Sequence, residues 1–352
     1  MAYTTINKPK DHFDGKIYLG SSSAVTVTGL EFQPDWVWIK DRDNGNNHCL
    51  VDAVRGVGKY IQSDNNSAEV NNSTNSISAF TSDGFTTGTG NPANESASTT
   101  KGFMSWNWKA NGQGSANTDG SISSTVSANT TAGFSIATWT TPSSGTQFTI
   151  GHGLGQAPDM MIMKCTTQSN SWFTYHKGLG GNVNDYLVLN EAAAEASQTN
   201  MWGANGAETN TMGFKAGTSS YTSQPMVGYF FAEKQGYSKF GSYTGNGNAD
   251  GSFIYTGFKP AFVLIKYSTS TSGWWQMQDN KRDVDNPTEK AIFANVSDAE
   301  YSNANYAADF LSNGIKMRNA TAGSNTSGGT YIYMAFAEAP LVGSNNVPCT
   351  AR

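Results

Sequence analysis

The stretch Gln33-Pro34-Asp35-Trp36-Val37-Trp38-Ile39-Lys40 returns as Ala157-Pro158-Asp159-Met160-Met161-Ile162-Met163-Lys164, and again as Lys259-Pro260-Ala261-Phe262-Val263-Leu264-Ile265-Lys266. Each copy is a proline, an apolar run and a lysine six positions after the proline. Three such copies in one order mark a chain built from diverged repeats of one unit. Further landmarks keep the register on either side. An aromatic opening lies upstream at Phe13, Phe134 and Tyr237, and a glycine with an apolar neighbour lies downstream at Gly84-Phe85, Gly213-Phe214 and Gly314-Ile315. The copies close on Phe103-Met104-Ser105-Trp106-Asn107-Trp108-Lys109, Tyr229-Phe230-Phe231-Ala232-Glu233 and Tyr333-Met334-Ala335-Phe336-Ala337-Glu338.

These landmarks divide the chain into an N-terminal arm at 1–12, unit 1 at 13–110, a Gly/Ser/Asn/Thr-rich linker at 111–132, unit 2 at 133–235, unit 3 at 236–340 and a C-terminal tail at 341–352. The linker holds little that is apolar besides Ile122 and Val126, so it is expected to be exposed. Units 2 and 3 join through Gln235-Gly236 and are expected to lie closer together than units 1 and 2. Continuous apolar runs such as Trp36 to Ile39 suit strands covered on both faces. With 12% aromatic and only 14% charged residues among many turn formers, the chain reads as all-β, three tandem antiparallel two-sheet sandwiches. Helix is expected at most over Asn190 to Thr199, from the propensity of Glu191-Ala192-Ala193-Ala194-Glu195-Ala196.

Composition also sets limits on function. A net charge of −5 without Lys/Arg clusters offers no electrostatic footprint for nucleic acid. No apolar segment approaches the roughly 20 residues that cross a bilayer as a helix, and the N-terminus lacks a secretory signal, so synthesis and assembly in a cytoplasm are expected. Cys49, Cys165 and Cys349 are too few and too scattered for a disulfide framework or a zinc site, and free thiols are the expectation.

Candidate chemistry is thin. The histidines His12, His48, His152 and His176 recur at no equivalent position, and no G-x-S-x-G elbow accompanies them. A glycosidase needs two facing carboxylates, whereas Asp52, Asp83 and Asp279 sit where an Asx-turn would use them. The loops Asp41 to Gly45 and Asn246 to Gly251 look oxygen-rich, but their twelfth positions, Asp52 and Gly257, are not the glutamate of an EF-hand, and they read as hairpin turns. No catalytic residue, metal ligand or cofactor is therefore assigned. The aromatic residues Trp172, Trp202, Tyr221, Trp274 and Trp275, with Asn-rich neighbours, are the candidate sugar-binding set, although for any one of them an interface or core anchor is the commoner role.

The phrases Phe32 to Lys40, Val51-Asp52-Ala53-Val54-Arg55-Gly56 and Phe80-Thr81-Ser82-Asp83-Gly84-Phe85, with Tyr255 to Pro260 and Ser327 to Glu338 in unit 3, resemble a domain widespread in tailed bacteriophages, notably marine ones. The resemblance implies a virion protein with a lectin-like (jelly-roll) sandwich, and it carries over no catalytic residues. It leaves two roles open: a tail-fibre or spike module binding a host-surface glycan, or a head-decoration or capsid-fibre protein on the shell. A glycan-degrading virion enzyme is the competing class. The partners so implied are other tail or capsid proteins and a host glycan, with homotrimeric assembly expected for a symmetric particle.

Overall fold

The computed structural model describes residues 3–95, 102–143, 145–204, 206–215, 221–321, 323–343 and 347–349; residues 1–2 of the arm and 344–346 and 350–352 of the tail lie outside them. The protein is all-β, with antiparallel sheets throughout and, among the described residues, no α-helix.

Each unit contributes one large sheet with the same order, opening strand, closing strand, phrase strand, following strand. In unit 1 these are Phe13–Leu19, Gly102–Trp108, Trp36–Asp41 and Cys49–Asp52. The counterparts are Phe134–Thr140, Pro225–Phe231, Met160–Cys165 and Phe173–His176 in unit 2. In unit 3 they are Ser238–Thr244, Thr330–Pro340, Phe258–Tyr267 and Trp275–Asp279. The register agrees across copies: Trp36 faces Trp108, Met160 faces Phe231 and Phe262 faces Phe336. The opening aromatic shifts in the third copy. Phe13 and Phe134 lie opposite Trp108 and Phe231, but Ser238, not Tyr237, lies opposite Phe336. A small second sheet covers one face of each large one. It contains the landmark glycines Gly84, Gly213 and Gly314, where a Cβ would run into the carbonyl oxygens of Val27, Trp202 and Ile254.

Strand alternation explains the continuous apolar phrase. Val37 and Ile39 point into the core of unit 1, as Met161 and Met163 do in unit 2 and Val263 and Ile265 in unit 3. The alternate residues Trp36, Trp38, Met160, Ile162, Phe262 and Leu264 all enter one central core shared by the three units. There Trp36 stacks on Tyr229 of unit 2 at 4.3 Å, and Phe13 stacks on Phe336 of unit 3 at 5.0 Å. The second covering layer that the apolar runs call for is thus the large sheets of the other two units.

Two sequence expectations are corrected by this arrangement. Units 2 and 3 are not the closer pair, since all three meet around one core. The 111–132 segment is not an exposed linker: Ser115–Asn117 and Ser124–Asn129 pair onto the opening strand of unit 2 and bury Val126. The helix expected over Asn190 to Thr199 is also absent. The segment is a turn followed by irregular chain and the short strand Ala196–Ser197, which pairs back on Tyr186 and Asp185, and the backbone N–H of Glu195 donates to the carbonyl of Ser268 in unit 3.

That last bond is one of three equivalents. The N–H groups of Glu69, Glu195 and Glu300 donate to the carbonyls of Thr166, Ser268 and Arg42, each two residues after the phrase lysine of the next unit. The phrase lysines are buried beside these contacts. Lys40 Nζ donates to the carbonyls of Asp41 and Asn44, Lys164 Nζ to those of Cys165, Gln168 and Asn66, and Lys266 Nζ to those of Ala192 and Gly273. Burial draws Lys40 and Lys164 down to about 8 and Lys266 to about 7. The three units close a ring within a single chain.

Ring nitrogens complete the ring. His48, Trp172 and Trp275 precede or begin the following strands, and each bonds backbone of the neighbouring unit: Phe293 and Val296, Gln62 and Asn65, and Val188. His48 Nδ1 accepts from Trp38 Nε1 at 2.8 Å, so Nε2 carries the proton and donates. His176 Nδ1 accepts the N–H of Gly178, and Nε2 donates to the carbonyl of Tyr333 in unit 3. Burial pushes His48 down to about 3 and His176 to about 4. Below the ordinary histidine value near 6.5 the unfolded chain takes up protons that the folded chain refuses, so stability falls as pH drops from about 6.5. Asp64, raised to about 6 by burial, works in the opposite direction with a smaller shift. The urea midpoint should fall between pH 7 and pH 5; a flat or rising midpoint would contradict the buried neutral histidines.

Candidate aromatic binding basin

The five aromatic candidates part company in the structure. Trp172 and Trp275 are buried at unit junctions, with indole N–H groups held by backbone of the neighbouring unit. Trp202 lies in the core of unit 2 and donates to the carbonyl of Asp185 at 2.8 Å. None of the three has a face left for a sugar. Tyr221 borders an apolar slit of about 80 Å³ between the sheets of unit 2, beside Phe173 and Met163, too small for a pyranose ring. Trp274 borders a hollow of suitable size.

That hollow is on unit 3. Strand alternation sends Trp275 and Met277 into the shared core and leaves Trp274 and Gln276 on the other face of the same strand. Phe293, at the end of Lys290–Phe293, meets Trp274 edge-on at 4.8 Å and 67° and so props the indole without stacking over it. Tyr301 and Tyr306 pack against Phe293 in turn, at 5.6 and 5.1 Å. Tyr306 closes a 3-10 turn whose first residue is capped by Asn303, the side chain accepting the N–H of Asn305. Thr321 Oγ1 donates to the carbonyl of Asn305 at 2.6 Å and pins the turn to the opposite loop. The result is a basin of about 260 Å³ with Trp274, Phe293 and Tyr306 as walls and Ser272, Asn305, Thr321 and Gly323 at its border.

Its electrostatics are simple. Among the described residues no Lys, Arg, Asp or Glu borders it. Tyr301 donates to Asp298 at 2.7 Å and is raised by that bond, and Tyr306 is raised by burial, so both phenols stay neutral. Aromatic faces carry negative potential that attracts the C–H side of an apolar ring face, while amide and hydroxyl groups at the edge can orient hydroxyls. Chemically the basin can hold a small ring with one apolar face.

The carboxylates have structural work. Asp52 and Asp279 accept backbone N–H bonds from Arg55 and from Lys281 and Arg282, as Asx-type turns would. Their other oxygens bind the Arg three residues on and a donor from a neighbouring unit, Tyr229 OH for Asp52 and Trp106 Nε1 for Asp279. Asp83 accepts the N–H of Gly29. Asp41 accepts from the N–H groups of Asp43 and Asn44 and from the side-chain amides of Asn44 and Asn46, which makes that loop a hydrogen-bonded turn. A larger groove of about 510 Å³ between units 1 and 2 is bordered by Arg55, Lys59 and Glu69, but Arg55 and Glu69 are paired with each other at 2.8 Å.

Of the aromatic residues around this candidate basin, sequence reasoning named Trp274 and did not name Phe293, Tyr301 or Tyr306. The signal for two of them was present in Tyr301-Ser302-Asn303-Ala304-Asn305-Tyr306, an Asn-rich turn with aromatics at both ends. A family model described as a domain of unknown function, DUF7483, matches residues 8–340. No curated protein and no solved structure matches the chain.

Proposed function

The chain belongs to the DUF7483 family, a domain of unknown function, and from that premise we propose that it is a non-enzymatic structural protein on the surface of a tailed-phage particle, of tail-fibre or spike type, binding a host-surface glycan through the Trp274 basin. The observation that carries the reading is the basin itself, an aromatic wall with amide and hydroxyl borders on a rigid β scaffold. The likeness of the repeat phrases to tailed-phage virion domains supplies the particle. Hydrolysis would need two facing carboxylates; among the described residues none borders the basin, which favours binding over cleavage.

Antibodies raised against the folded chain test the location. They should decorate the outside of intact particles that encode it. Labelling confined to disrupted particles, or absent from particles altogether, would overturn the reading.

A further inference from the structure

The small sheet of unit 3 leaves one strand edge open. Phe253–Tyr255 is its outer strand, paired on one side with Gly314–Met317. The N–H groups of Met317 and Thr256 donate to the carbonyls of Ser252 and Asn313, so Ser252, Ile254 and Thr256 turn their backbone groups toward that partner strand. By alternation the N–H and carbonyl groups of Phe253 and Tyr255 point the other way, and among the described residues no group bonds them. Their side chains are 46% and 54% exposed, while Ile254 between them is buried in the unit 3 core.

The repeat shows what such an edge holds. Tyr255 lies opposite the landmark Gly314 as Thr149 lies opposite Gly213. In unit 2 this edge is closed within the chain: the Thr149 N–H donates to Ser121 Oγ at 2.9 Å, and the Thr149 carbonyl accepts the N–H of Ile122 at 3.2 Å. Those two residues belong to the 111–132 segment, which has no counterpart before unit 3, since units 2 and 3 join through Gln235-Gly236. Unit 1 presents the exposed Thr26 and Thr28 at the same place, with hydroxyls that water satisfies. Unit 3 presents two aromatic rings instead, and no charged residue from Gly251 to Phe258 guards the strand against pairing.

We propose that this edge pairs with the same edge of a second copy of the chain, antiparallel about a two-fold axis at Ile254. In that register Phe253 of each copy lies opposite the partner's Tyr255. The outward N–H and carbonyl groups of both residues are then used, and each aromatic gains an aromatic cross-strand neighbour. The aromatic match and the lack of charge favour a copy of this strand over the threonine edge of unit 1 or a charged foreign strand. Phe253 is already packed over Gly314, where a Cβ would meet its ring at 2.9 Å, so it loses little freedom on pairing. The contact is isologous and closes at two copies, because each chain spends its open edge in making it. Pairing at this edge is independent of the glycan reading.

Sedimentation equilibrium of the intact chain should show a reversible monomer–dimer equilibrium, since a contact of two short strands stands at the small end of specific interfaces. Phe253→Pro removes an N–H that no described group of the monomer uses, at a place where an edge strand tolerates proline, and should weaken the dimer at least tenfold. Tyr255→Lys, which puts a charge on the edge, should do the same. Unfolding midpoints confirm that each variant is folded. Amide hydrogen exchange reads the register: the Phe253 and Tyr255 amides should slow as the dimer fills, whereas that of Thr149, already bonded to Ser121, should not change. A chain that stays monomeric to millimolar concentration would overturn the pairing, even if a foreign strand peptide adds to the edge. A trimer, the state expected from the sequence, would overturn it too, as would a dimer unmoved by both variants.

Discussion

Trp36→Ala should cost roughly 3–5 kcal/mol, the range for removing a buried Trp or Phe from a core, and should destabilise all three units together. The ring is fully buried at the centre of the molecule, 4.3 Å from Tyr229 and 4.5 Å from Trp108, with Phe134 and Phe231 also against it. It belongs to unit 1 by sequence but packs on unit 2, so its loss opens a cavity at their junction. Denaturant unfolding followed by fluorescence and by circular dichroism should give one coincident transition shifted as a whole. Two transitions, with only one displaced, would mean that the units fold separately and merely touch. Trp36→Phe is the companion, because the indole N–H has no partner to lose. It should cost much less than the alanine change.

Asp52→Ala should also cost roughly 3–5 kcal/mol, by stranding charge rather than by opening space. The carboxylate is fully buried, and the Arg55 side chain beside it is only 4% exposed. Asp52 Oδ2 binds Arg55 Nε at 2.6 Å and Tyr229 OH at 2.8 Å, so its removal leaves a guanidinium with Glu69 alone as counter-ion and a phenol with no acceptor carboxylate. Tyr229→Phe removes a hydroxyl that donates to the Asp52 carboxylate and accepts from Arg55 Nη2, and should cost about 1.5–3 kcal/mol, the range for hydrogen bonds to charged groups. The double variant should cost less than the two singles added, since both delete the same bond across the unit 1 and unit 2 junction. Additive losses would show that the bond does not couple the units. Asp279, held by Arg282 and by Trp106 of unit 1, should respond in the same way.

The β class was legible because alternation and turn residues leave local traces: a buried strand must be apolar on both faces, and Trp36 to Ile39 is. What covered the second face was not legible, since Trp36 and Val37 look alike in sequence while one faces a neighbouring unit and the other its own small sheet. The 111–132 segment misled for a related reason. Its strands are short and made of Ser, Thr, Ala and Asn apart from Val126, so the sequence looks like a polar linker although Ser124, Val126 and Ser127 are all buried. The alanine-rich run at Glu191 has helix propensity, but its strand pairing with Asp185 and Tyr186 and its backbone bond to Ser268 of unit 3 overrode it.

The site divides along the same line. Trp274 and Trp275 are adjacent and identical in type, and only the phase of the strand decides that one borders a basin and the other joins two units. The repeated lysine was visible as a landmark, yet its use, capping carbonyls at the ring contacts, could not be read without the fold.

The most direct test of the proposed function is titration of the intact chain, and of Trp274→Ala, against a panel of bacterial surface glycans. Trp274 is half-buried and props no unit junction, so the alanine variant should stay folded. The native chain should bind at least one glycan with a response that saturates, and Trp274→Ala should lose at least a factor of ten in affinity for it. Equal binding by both proteins, or none by either, would contradict the assignment of glycan recognition to this basin.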